Sequence, residues 1–332
     1  MHIVVIGSGS IGKRHLSNLH KLGVEKLSVV DVRSERLDEL SQTITNLEKF
    51  TDLDRALDQT NLDGAIICTP TCHHISVAQK VAERGLNCMM EKPLSHNLLG
   101  LEEVARGLEE RGLWMMVAYA MRFHPGIVKL KALLDQNAVG RVLSVRAECG
   151  QYLPDWHPWE DYRSWYMSKE DQGGGAILDI SHEIDYLRWF FGDVDELTGV
   201  VTKVSDLDID TDDLSEVILR FCSGVLGSLH LDLLQRTYRR TCTIIGTEGT
   251  ITWDYNAHAI QLYTANSGRW QTFEYAFDRN AYFIEELKHF LACLRGEAKP
   301  KVDFEDGRKT LQVVLAAKQS SRERCWVPVY PQ

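Results

Sequence analysis

Glu91-Lys92-Pro93 directly follows an apolar run through Met89 and Met90, so Lys92 leaves the end of a strand. Amines in such a place become proton-transfer groups when burial and a neighbouring positive charge bring their pKa toward neutrality. A second set of candidates follows the glycine run Gly173-Gly174-Gly175. If the next stretch is one helix, Ile180, Ile184, Leu187 and Phe191 form its apolar face. Asp179, His182 and Tyr186 then share the other. His182 is the side chain there best suited to exchange a proton near neutral pH. The plainer reading of that stripe is the solvated side of an amphipathic helix.

The third set binds phosphate. Gly7-Ser8-Gly9-Ser10-Ile11-Gly12 follows one apolar strand pattern and opens a helical one. In that context Gly7 allows a tight turn, Gly9 lets the backbone approach a pyrophosphate and Gly12 permits close packing of helix and strand. The helix N-terminus attracts the anion. Asp31 ends the next strand, where a carboxylate would accept the ribose hydroxyls of NAD, although Arg33 could hold the extra phosphate of NADP. NAD(H) is therefore the expected cofactor, with NADP(H) the alternative. Thr69 and Pro70 end the following strand on the edge where open parallel sheets bind ligands. His73 and His74 open the next helix and read as a solvated helix start rather than a metal pair. His74 is counted with Glu91 and Lys92 among the cofactor contacts, and no metal is expected.

These groups need a scaffold. Apolar runs at 2–6, 26–31, 64–68, 87–91 and 113–118 alternate with helical stretches at 12–22, 72–84 and 96–111, the pattern of a parallel, doubly wound sheet. Each helix stops at a glycine, Gly23, Gly85 or Gly112, as a left-handed C-cap would require. After a helix at 125–137 the period becomes two, at Val142–Glu148, Leu214–Phe221 and Val225–Leu233, with turn pairs such as Ser223-Gly224 and Glu248-Gly249. The expectation is an α/β Rossmann domain over 1–120 and an α+β domain over 121–332 with a large, mostly antiparallel open sheet. Helices at 281–295 and 305–322 should bring the chain back against the first domain, and a compact hinge is expected near 120.

Composition sets outer bounds. A formal charge of -10 over 332 residues argues against nucleic-acid or anionic-membrane partners, which require clustered Lys and Arg. No apolar run approaches the roughly 20 residues that span a bilayer. The strand pattern begins at once with no charged leader, so a cytoplasmic chain is expected. The eight cysteines are scattered without metal-ligand spacing and read as reduced thiols.

Taken in order, Gly7–Gly12, Glu91-Lys92-Pro93, Ala120-Met121-Arg122-Phe123-His124-Pro125 and the stretch from Gly173 to His182 resemble the Gfo/Idh/MocA oxidoreductase family over essentially the whole chain. The resemblance implies a cis Lys92–Pro93 bond, Lys92 as the catalytic lysine, and His182 and Asp179 beside it. Asp179 departs from the pattern, standing three residues from the histidine where four is common. Arg122, Tyr152 and Arg163 join Lys92, Asp179 and His182 as candidate substrate contacts, and Tyr152 and Arg163 could equally pack their loop. Trp156-His157-Pro158-Trp159 could stack on a sugar ring or merely order its loop. The resemblance also implies hydride transfer between nicotinamide and a secondary hydroxyl or ketone of a sugar, inositol, amino sugar or nucleotide sugar. Pairing of the outward sheet face into a homodimer or homotetramer is implied as well. A non-catalytic dinucleotide-binding regulator and an NAD-recycling, glycoside-cleaving enzyme are the alternatives.

Overall fold

The computed structural model describes residues 1–59 and 61–330; Pro331 and Gln332, the end of the expected second domain, lie outside them. The chain forms two compact units. The first runs β1 (His2–Ile6), α1 (Ser10–Lys21), β2 (Lys26–Val30), α2 (Ser34–Ser41), β3 (Leu47–Phe50), α3 (Leu53–Leu57), β4 (Gly64–Ile67), α4 (His74–Glu83), β5 (Cys88–Glu91), α5 (Leu101–Glu110) and β6 (Met115–Ala118).

These strands make a parallel sheet in the order β3-β2-β1-β4-β5-β6. Ile3, Val4, Val5, Ile66, Ile67, Met89 and Met90 are all fully buried, as strands covered on both faces require. The order reverses at β1/β4, so the loops after those two strands flank the switch point at which such sheets bind ligands. Gly23, Gly85 and Gly112 have φ of 76°, 71° and 63°. A side chain at any of them would meet nothing within 4 Å, so the positive φ alone selects glycine. The edge strand β3 and the short helices around it were not expected: Leu47-Glu48-Lys49-Phe50 is too short and too exposed to show a period.

The second unit contains α6 (Pro125–Asp135), β7 (Val142–Gly150), α7 (Ala176–Asp179), α8 (His182–Phe191), β8 (Val194–Thr202), β9 (Leu214–Phe221), β10 (Leu226–Asp232), β11 (Arg239–Gly246), β12 (Gly249–Asp254), β13 (Ala259–Thr264) and β14 (Arg269–Glu274). Beyond them come α9 (Ala281–Leu294), α10 (Phe304–Glu323) and β15 (Val327–Pro328). The nine-stranded sheet has the order β14-β13-β12-β11-β7-β10-β9-β8-β15 and is antiparallel except where β7 meets β10. On β9, Ser215, Val217, Leu219 and Phe221 face inward, while Glu216, Ile218 and Arg220 face out. That alternation is the period-two signal.

Where the sequence suggests a single boundary near 120, the first unit comprises Met1–Tyr119 and Phe283–Arg308. Packing explains the return. Phe290 meets Trp114 edge to face, Val117 donates its amide to the Val302 carbonyl at 2.9 Å, and Leu294 fills the space above Gly64. Most of α10 belongs to the second unit, where Ser320 and Ser321 accept the amides of Gly199 and Val201 on β8. Among the described residues no helix is long and apolar enough to cross a membrane, and all eight cysteines are free thiols.

Candidate active site

In the first unit the glycine loop is closely packed at two of its glycines and open at the third. A Cβ on Gly7 would lie 2.5 Å from the Cys68 carbonyl oxygen, and one on Gly12 would lie 2.0 Å from the Gly7 oxygen. The chain's own packing therefore demands both glycines. A Cβ on Gly9 would approach only the Arg36 guanidinium, at 3.8 Å. Glycine there leaves a clear approach to the first turn of α1, beside Ser10 and Ile11, and suits a pyrophosphate rather than any internal contact. Across the switch point, Thr69 buries its Oγ1 with no hydrogen-bond partner among the described residues. An orphaned hydroxyl beside an open glycine cradle fits the bound dinucleotide of a Rossmann domain.

Asp31, at the end of β2, is 7 % exposed. Its Oδ2 accepts from the Ser8 amide at 2.9 Å and the Ser8 hydroxyl at 2.6 Å, and its Oδ1 accepts from the Arg33 amide at 3.0 Å. Burial alone would raise its pKa, but these bonds and the nearby Arg36 hold the carboxyl below its ordinary value. The result is a pinned carboxylate at the carboxyl end of β2. Arg33 and Arg36 each place a guanidinium nitrogen 3.8 Å from it. Arg36, on the first turn of α2, was not singled out from the sequence, where no motif marks it.

The Lys92–Pro93 bond is cis, and Lys92 is half-buried in the turn that follows β5. His74 is not a solvated helix start. It is 1 % exposed, with Nδ1 2.8 Å from the Pro93 carbonyl oxygen and Nε2 2.9 Å from that of Thr69. Burial lowers its pKa against the pull of those two carbonyls. The ring ties the lysine turn to the threonine loop, while His73 stays exposed. Pro70 is exposed at the loop's tip.

In the second unit the glycine run closes a loop tightly. Gly173 and Gly175 have φ of 80° and 112°, and a Cβ on Gly174 would lie 2.4 Å from the carbonyl oxygens of both Tyr166 and Met167. This close approach brings the Tyr166 hydroxyl to donate to Asp179 Oδ1. Asp212 caps the helix that follows by accepting the Ile177 amide at 2.9 Å. The expected single helix is two: α7 ends at Asp179, Ile180 leaves helical geometry at ψ 29°, and α8 starts at His182. Asp179 therefore stands on a different helix from His182 and Tyr186, and Tyr186 does not join a substrate stripe. It is 0 % exposed and packs edge-on against Trp253.

Buried charge explains why α8 is not amphipathic. Glu183 and Asp185 are both 0 % exposed. Arg240 on β11 meets Glu183 through two bonds of 2.7 and 3.0 Å. Arg122 meets Asp185 through bonds of 2.9 and 2.8 Å. Arg122, expected at the substrate, is 4 % exposed and serves as a support for the helix that carries His182. His182 itself, at the first position of α8, is half-buried. Asp179 is 6 % exposed.

The remaining candidates sit in the loop before the glycines. Arg163 is 58 % exposed and forks onto Asp161, and the Arg236 guanidinium lies 3.6 Å from the Tyr152 ring centroid. Trp156 donates its indole N–H to the Gln151 carbonyl, whereas Trp159 is 75 % exposed. Tyr166 was missed by sequence reading, since only the backbone approach at Gly174 brings it to Asp179. Among the described residues no group of three His, Cys, Asp or Glu side chains is placed to hold a metal ion.

Comparison with known proteins agrees with this architecture. Residues 1–119 match the oxidoreductase family described as having an NAD-binding Rossmann fold, and residues 127–252 match the GFO/IDH/MocA C-terminal domain. A myo-inositol 2-dehydrogenase of Thermotoga maritima is 28% identical over 98% of this chain and 97% of its own length. A scyllo-inositol 2-dehydrogenase (NAD(+)) of Bacillus subtilis is 26% identical over 96% of this chain and 93% of its own. The solved structure of a levoglucosan dehydrogenase in complex with NADH shares the fold, with a TM-score of 0.90 at 22% identity, covering 100% of this chain and 99% of that one. With both halves matched in order, the chain belongs to the Gfo/Idh/MocA family of NAD(P)-dependent oxidoreductases.

Proposed function

We propose that the chain is an NAD-dependent dehydrogenase that oxidises one secondary hydroxyl of an unphosphorylated cyclic polyol or sugar, and reduces the ketone in the reverse direction. The observation that carries this reading is the pinned carboxylate of Asp31 beside the open Gly9 cradle, which suits the two ribose hydroxyls of NAD and repels a 2'-phosphate. Full-length similarity to two inositol dehydrogenases supports the substrate class.

When bound, the nicotinamide supplies the acceptor for the carbinol hydride. The chain's residues do the rest. The Lys92 amine and the His182 imidazole hydrogen-bond the reacting hydroxyl, and one of them takes its proton. Asp179, oriented by the Tyr166 hydroxyl, accepts from a neighbouring hydroxyl of the ring. Glu91 is assigned to holding Lys92 rather than to the cofactor. The protein works in the cytoplasm, in keeping with eight free thiols.

The test is absorbance at 340 nm with NAD and then NADP against myo-inositol, scyllo-inositol, levoglucosan, D-xylose and nucleotide sugars. A substrate-dependent rise with a cyclic polyol and NAD is the expected result. Silence over the whole panel, with NAD still bound after purification, would replace this reading with the cofactor-recycling enzyme or the regulator.

We assign the outward sheet face to pairing with a second copy. Val200, Ile218, Leu226 and Ile245 stand 40 to 53 % exposed there. Apolar residues on the open face of an antiparallel sheet mark an association surface. Light scattering at micromolar concentration should give a dimer or tetramer, and a monomer would remove the assignment.

A further inference from the structure

One buried side chain of the first unit is used by nothing described so far. His15, on α1 one turn beyond Gly12, is 0 % exposed. Its Nε2 lies 2.8 Å from Glu91 Oε1, and its Nδ1 has no partner among the described residues. A carboxylate accepts and does not donate, so the ring must carry its hydrogen on Nε2. The other carboxylate oxygen, Glu91 Oε2, accepts the backbone amide of Lys92 at 3.2 Å. One carboxylate therefore bridges the helix that opens at the glycine loop and the backbone of the candidate catalytic lysine.

We propose that His15 is a positioning residue for Lys92, acting through Glu91 to hold the lysine turn in fixed register with the dinucleotide loop. The inference rests on Lys92 being the proton-transfer residue of the proposed function. Packing alone gives no reason for the pair. An apolar side chain at position 15 would fill the same interior without burying a polar ring that makes one bond and leaves one nitrogen unsatisfied. What an apolar residue would not do is fix Glu91. A carboxylate with one oxygen anchored can orient the adjacent amide, whereas a free one rotates about its side-chain torsions or seeks water. His74 secures the same turn from the other side through the Pro93 carbonyl. The Lys92 backbone is thus held from α1 and from α4, one hold on each side of the residue whose amine must be placed.

The test compares His15→Phe, which keeps a ring but loses the donor, with His15→Gln, whose amide nitrogen reaches about as far as Nε2. Three measurements are made: NADH affinity by fluorescence, the NMR signal of Lys92 after reductive methylation with [13C]formaldehyde, and turnover of myo-inositol or the best panel substrate. Loss of the signal in Lys92→Arg assigns it. In His15→Phe the Lys92 resonance should move toward the position of exposed lysines. kcat should fall by on the order of tenfold, as displacement of a catalytic group does, with KM changed by less than about twofold. NADH affinity should change little, and His15→Gln should restore most of kcat and the resonance. A His15→Phe protein that folds, keeps the native Lys92 signal and turns over normally would overturn the proposal. If His15→Phe is unstable, Glu91→Leu is read instead: it puts an apolar side chain of similar size there but removes both acceptors of the bridge, and a native Lys92 signal with normal kcat would overturn the proposal equally. Undiminished turnover in Lys92→Ala has a different meaning: it removes the catalytic reading while leaving the bridge's effect on the Lys92 signal measurable.

Discussion

Replacing Lys92 by methionine is expected to lower kcat by on the order of a thousandfold, the usual cost of losing a positioned proton-transfer group. Methionine fills much the same volume as the lysine stem, so the turn after β5 should keep its shape. That turn is held by Glu91 and by His74, neither of which uses the lysine amine. NADH should therefore bind to Lys92→Met with nearly native affinity, because the cradle at Gly9 and the carboxylate of Asp31 are untouched. A matched fall in kcat and kcat/KM would show that the missing contact is made in the transition state. Equal losses in cofactor affinity and turnover would instead make Lys92 a binding residue. Turnover above about a tenth of the parent value would remove it from the proton-transfer step.

The residues of that prediction were legible because local geometry selects them. A Cβ on Gly12 would meet the Gly7 oxygen at 2.0 Å and one on Gly7 the Cys68 oxygen at 2.5 Å, and such requirements leave glycines at fixed spacing. Asp31 and Lys92 directly follow β2 and β5, whose last residues are buried, so their positions at the sheet's edge follow from counting. What was hidden depends on pairs distant in the chain. His15 is ordinary until Glu91 is seen 2.8 Å away, and Tyr166 until the loop closes at Gly174.

Period failed for two further reasons. At β3, four residues with both faces partly exposed carry too little pattern to read. In α8 the apolar residues recur at helical spacing, yet the intervening charges are also buried, because each acid has an arginine from elsewhere. A helix wheel counts Glu183 and Asp185 as solvent-facing. Only the positions of Arg240 on β11 and Arg122 after β6 show otherwise.

That hidden pairing gives the largest expected effect on stability. Arg240→Met should destabilise the protein by about 3–5 kcal/mol, since it leaves the Glu183 carboxylate buried with its bidentate partner gone. The native pair is 9 % and 0 % exposed, with bonds of 2.7 and 3.0 Å, so water cannot readily replace the guanidinium. Denaturant unfolding reads the loss directly as a lower midpoint at similar slope. The control is Arg240→Met combined with Glu183→Leu, which removes the buried carboxylate as well and should recover most of the stability, because an ion pair replaced by apolar groups of similar volume costs little. Turnover should separate from stability in this double variant. Glu183 adjoins His182, and a helix held by apolar packing alone can rotate or slide where a bidentate bond fixes its register. The double variant should thus unfold near the parent's midpoint yet show reduced kcat, and full activity in a stable double variant would mean that packing alone sets the position of His182.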